Sequence, residues 1–152
     1  MPSHRATSTR SALIVLAAAA VGLALPGCAV IDEVAYNQRS STYETLADAP
    51  ADSVAHAEWV PTDAHDVRII ENARGENTDA TVLLASASAL DPAVCVGFDR
   101  QSAPDYVIDG QPDAYEAETV FACGKWSVIP ADDGWLGWTP NHPEEEAQSP
   151  AR

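Results

Sequence analysis

"ETVFACGKWSVIPADDGWLGWTP", residues 118–140, is the stretch whose reading decides the fold. Its β-branched and aromatic residues come in short runs broken by Gly124, Pro130 and Gly134, which suits strands better than helices. Alternation sets Trp126 and Val128 on one face, with Ser127 and Ile129 on the other. "KWSVI" and "WLGW" flank "PADDG", and Asp132-Asp133-Gly134 is turn chemistry, so two or three antiparallel strands ending in a hairpin are expected. Pro130 has no N–H for a ladder and should cap its strand or lie on an edge.

Upstream the same texture runs back to Trp59. Val67 to Ile70 is a short β-branched run, and "ARGENTDA" after it is a turn-rich connector. "TVLLASASAL" (Thr81 to Leu90) is a strand candidate, and "PAVCVGFD" is another, with Gly97 marking a bulge or a close approach. The expected fold class is α+β or mainly β: one small antiparallel-sheet domain over residues 59–140. Residues 28–58, rich in Ala, Asp, Ser and Thr, read as a flexible tether, and residues 141–152 as a disordered acidic tail.

The front of the chain speaks of location. "MPSHRATSTR" carries Arg5 and Arg10 and no acid, and Ala12 to Leu25 is apolar, which is the build of a secretory signal peptide over residues 1–27. Leu25-Pro26-Gly27-Cys28 resembles the lipobox of bacterial lipoproteins: an aliphatic residue, a variable position, a small residue and the cysteine to be acylated. Pro26 departs from the small or β-branched residue usual at its position. The resemblance implies a mature chain beginning at Cys28, held on the extracytoplasmic face of the cell membrane by palmitate-type acyl chains. Together with "WVPTDAHDV" and the "CGKWSV…DDGWLGW" hairpin, it is similar to small exported lipoproteins of actinobacteria. That likeness implies a location and a build, and no catalytic residues. An uncleaved spanning helix over Ala12 to Ile31, or an ordinary signal peptide, are the alternatives.

Charge narrows the partners. The chain has 23 acidic and 8 basic side chains, a net charge of −15, and loss of Arg5 and Arg10 with the leader takes it to −17. No basic stripe is present to neutralise phosphates, which argues against nucleic acid. With Cys28 assigned to lipid, Cys95 and Cys123 remain, and an even pair in an exported chain predicts a disulfide. No histidine lies between them and there is no CxxC, so the spacing fits no zinc site.

Three groups of residues are candidates for chemistry. Asp63, His65 and Asp66 cluster near His56, but GxSxG and HExxH are absent, and His65 reads as a surface residue beside a strand start. "DYVIDGQPDAYE" places Asp105, Asp109, Gly110, Asp113 and Glu116 at calcium-loop positions, yet Val107 takes a ligand position and Pro112 breaks the pattern. Trp126, Trp135 and Trp138 offer flat surfaces for sugar rings, against the simpler expectation that they supply the core. No cofactor is implied. The expected function is a monomeric, membrane-anchored, non-catalytic binding or accessory module of the envelope, whose partner is an envelope protein or cell-wall glycan. An envelope hydrolase or glycan-processing factor, and an extracellular solute or calcium binder, are the alternatives.

Overall fold

The computed structural model describes residues 37–74 and 79–151. Seven strands form one sheet: β1 (Gln38–Thr45), β2 (His65–Asn72), β3 (Ala80–Ala85), β4 (Val96–Asp99), β5 (Thr119–Cys123), β6 (Trp126–Ala131) and β7 (Gly134–Thr139). Their spatial order is β1-β2-β3-β7-β6-β5-β4, and every neighbouring pair is antiparallel. Two meanders, β1–β3 and β4–β7, are therefore joined by the β3–β7 ladder. This is the mainly-β, antiparallel domain expected.

The hairpin at residues 126–139 forms as its alternation dictates. Ala131 pairs with Gly134 across Asp132-Asp133, and Val128 faces Gly137. Gly134 is required at its place: a Cβ there would overlap the Leu84 carbonyl oxygen and the Ser86 nitrogen. Pro130 lies on a local edge, as expected, on a stretch of β6 that β5 does not reach. It lies inside β6 opposite Trp135, beyond the last β5–β6 pair, Phe121 with Val128, so its missing N–H removes no bond from that ladder. Gly97 is neither bulged nor crowded; it pairs in register with Phe121 and has open space where a Cβ would stand.

Both faces of the sheet are covered, which explains why β3 reads as a continuous apolar run, with five of its six residues buried. On one face Val67, Ile69, Val82, Leu84 and Val128 pack beneath the β1–β2 connection, whose Trp59 is 2% exposed. The Trp59 ring lies where a Gly137 side chain would be, and its centroid is 5.7 Å from that of Trp126. On the other face Leu83, Val120, Ile129, Leu136 and Trp138 pack beneath Ile108 and Ala114 of the β4–β5 connection. The tryptophans are thus divided between two small cores.

Both expected boundaries of the domain move outward. β1 falls inside the stretch read as tether, and it is paired with β2 along its length. Residues read as a disordered tail form a one-turn helix, α1 (Pro143–Glu146), and bury both Glu145 and Ser149. His142 is the N-cap of α1, its ring accepting from the Glu144 N–H, and Pro143 stands in the first turn.

Candidate functional site

The Cys95–Cys123 disulfide joins β4 to the end of β5, as expected. Val96 pairs with Ala122, which sets the two cysteines directly opposite each other, and both are buried. Leu25, Pro26, Gly27 and Cys28 lie outside the described residues.

The histidine corner comes together without the geometry of a nucleophile. The Ser86 hydroxyl donates to Asp63 Oδ1 at 2.6 Å, and the Ala87 N–H donates to Oδ2 at 3.1 Å. The Ser86 hydroxyl bond holds the Asp63 carboxyl below its usual range. His65 reaches the Asp63 backbone carbonyl at 3.2 Å through Nδ1 and does not stand between the serine and the acid. Asp63 therefore pins the turn after β3.

The calcium-loop residues do not converge. Asp113 caps a 3₁₀ turn by accepting from the Tyr115 N–H at 2.8 Å, and the Asp109 carbonyl accepts from Arg68 at 2.6 Å. Among the described residues no three His, Cys, Asp or Glu side chains gather as metal ligands, Asp105, Asp109, Asp113 and Glu116 included. The tryptophans do not form one platform either. Trp138 is 1% exposed on one face of the sheet, while Trp126 and Trp135 are half-buried on the other. Trp135 donates its indole N–H to the Ser88 carbonyl at 3.0 Å.

The most heavily bonded ionisable group among the described residues is one that no sequence motif announces. Glu145 is fully buried, and its carboxylate accepts five hydrogen bonds. Oε1 receives the N–H groups of Gln101 (2.6 Å) and Ser102 (3.0 Å). Oε2 receives the hydroxyls of Ser102 (2.6 Å) and Ser127 (2.9 Å) and the His142 N–H (2.8 Å). Trp138 completes the network by donating to the Ser102 hydroxyl at 2.9 Å. Burial pushes the carboxyl up, but the Ser102, Gln101, His142 and Ser127 donors outweigh it and hold the group below its ordinary value of 4.5. A carboxylate so fully occupied is a fastener, with no lone pair free for a substrate.

The open space lies elsewhere. A groove of about 410 Å³ sits between the β1–β2 end of the sheet and the segment 50–54. Arg39, Ser41 and Tyr43 line it from β1, Glu71 from β2, with Asp79 beside them and Asp52 on the opposing lip. Arg39 and Glu71 stand opposite each other in register, with their charged atoms 3.7 Å apart. Asp79 also acts away from the groove: burial first, then the nearby charges of Asp79 and Asp105, push up the phenol of Tyr106, which belongs to the β4–β5 connection and does not line the groove. These residues come from separate segments, so no motif in the sequence announces them. Comparison with known proteins returns no matching family model, no matching curated protein and no matching solved structure.

Proposed function

We propose that this chain is a lipid-anchored module on the extracytoplasmic face of the cell membrane, and that it binds an envelope partner without transforming it. The observation that carries the reading is the position of the groove. It opens at the end of the sheet where β1 begins, ten residues after Cys28. Whatever path those residues take, they span at most about 35 Å, so an anchor at Cys28 keeps the groove close to the bilayer. A volume of about 410 Å³ is within the size range of a binding cleft, and its lining of Arg39, Ser41, Asp52, Ser53 and Glu71 around Tyr43 and Val54 suits a polar, charged contact surface.

A binding role is favoured over catalysis because the buried Glu145 carboxylate is consumed in holding the fold, and Asp63 in holding a turn. A protein partner is favoured over cell-wall glycan because the tryptophans are divided between the two faces. The test is in-cell crosslinking and affinity capture of wild type, Cys28→Ala and Tyr43→Ala side by side. One defined envelope protein, recovered with wild type and lost with Tyr43→Ala, is the expected result, with Cys28→Ala shed from the membrane. Full membrane retention of Cys28→Ala overturns the anchor. Capture undiminished by Tyr43→Ala overturns the groove.

A further inference from the structure

We propose that the margin of β1, unpaired among the described residues, takes up an extended, lysine- or arginine-bearing segment of the partner protein as an eighth strand, with alternate side chains of that segment entering the groove. The inference rests on the reading of the groove as the contact surface and names the chemistry of what it contacts.

The backbone argument comes first. β1 is an eight-residue strand at the end of the sheet order, paired on one side with β2 in a single register from Gln38 with Asn72 to Thr45 with His65. At about 3.3 Å per residue its outer side offers roughly 26 Å of alternating donors and acceptors. Proteins block such margins with prolines, bulges, lysines or very short strands. "QRSSTYET" contains no proline or lysine and its ladder has no slip, whereas β4, at the opposite margin, has four residues. β1 is thus the margin fitted to accept a strand.

Side chains then specify what the strand should carry. Arg39, Ser41 and Tyr43 are every second residue of β1, so they share one face, and that face is the groove wall. A strand laid beside β1 sends its own alternate residues over the same face, which is how strand addition couples backbone affinity to side-chain choice. Glu71 is answered by Arg39, while Asp52 has no ion-pair partner among the described residues. A Lys or Arg meets the Asp52 carboxylate there, with its aliphatic stem along Tyr43 and Val54, and an acidic segment meets repulsion from a chain of net charge −15.

The experiment uses the full chain in detergent and a fluorescein-labelled peptide of alternating Lys and Thr, as long as β1. Two further versions carry N-methyl groups on alternate amides, so that each blocks one edge of the peptide. Fluorescence anisotropy should show the parent peptide binding, one N-methylated version losing at least about tenfold in affinity, and the other retaining it. Asp52→Asn should weaken the parent peptide by about fivefold or more, and a Glu-Thr peptide should not bind. Equal behaviour of the two N-methylated peptides overturns strand addition. Equal binding of the Glu-Thr peptide, or no saturation by the Lys-Thr peptide at millimolar concentration, overturns the basic segment. If the chain sediments as a dimer that the Lys-Thr peptide cannot dissociate, β1 pairs with a second copy and the proposal fails. None of these readouts depends on Cys28, so they separate failure here from failure of the anchor.

Discussion

The two margins of the sheet are built in opposite ways. β4 is short and is tied three times over. The disulfide joins Cys95 to Cys123, and the Ser149 hydroxyl accepts from Gly124 N–H while donating to the Val94 carbonyl, one residue away from each cysteine. Glu145 then gathers donors from the segment after β4, from β6 and from α1. β1 is twice as long and is held by its ladder with β2, the packing of Tyr43 on the core, the Thr45 bonds to Asp48 and one half-exposed ion pair, with no covalent tie and no fully buried polar one. Covalent and buried polar ties are concentrated at the β4 margin. The margin beside the groove is left with backbone groups available and surface charge around them.

The largest test of this contrast is Glu145→Ala. It leaves five donors facing a gap and should cost on the order of 3–5 kcal/mol in urea unfolding; a loss below about 1 kcal/mol would remove Glu145 as the fastener of that margin. The same residue sets an acid dependence. Its folded pKa lies below the ordinary 4.5, so its contribution is complete above that value and fades as pH falls through the lowered one. Wild type should therefore lose stability on acidification more steeply than Glu145→Gln, as read from urea midpoints across that range.

Replacing both cysteines, Cys95→Ala/Cys123→Ala, comes next. Their separation of 28 residues gives a loss of about 3.5 kcal/mol by loop-closure entropy, measured as a drop in thermal midpoint against wild type. Ser149→Ala should cost about 1–2 kcal/mol, since it strands the Gly124 N–H, and hydrogen exchange at Gly124 should accelerate with it. Arg39→Ala is the smallest. Arg39 is 52% exposed and Glu71 27%, so the change should stay within about 0.5 kcal/mol. A large loss there would mean that β1 is fastened after all, and the contrast between the margins would collapse.

Much of the sheet was legible because its strands carry apolar alternation or continuous apolar runs. β2, β3 and the β5–β7 meander all show it, and the disulfide followed from the pairing of the cysteines left after Cys28. β1 was missed because "QRSSTYET" has almost no apolar residue to alternate. A strand at a polar margin is specified by its partner, β2, and hardly by its own composition. The tail misled for a different reason. "NHPEEEAQSPAR" has the charge of a solvated end, yet His142, Pro143 and Glu145 occupy the N-cap, first-turn and N3 places of a capped helix. What no local pattern tells is that Glu145 will find Ser102 and Ser127. The groove was illegible on the same ground, since Arg39, Asp52 and Asp79 meet through topology alone.

The position of Glu145 and Ser149 in chain order has a consequence for timing. Both residues are made after all seven strands, so a chain delivered from its N-terminus first has its whole sheet available before the residues that fasten β4 arrive. Until then the segment around Gln101 and Ser102 lacks its acceptor, and Gly124 lacks Ser149. A nascent chain stalled short of these residues would carry the groove and the margin of β1 while β4 stayed unfastened. Fastening of the β4 margin therefore waits on residues 145 and 149, after the rest of the sheet has been made.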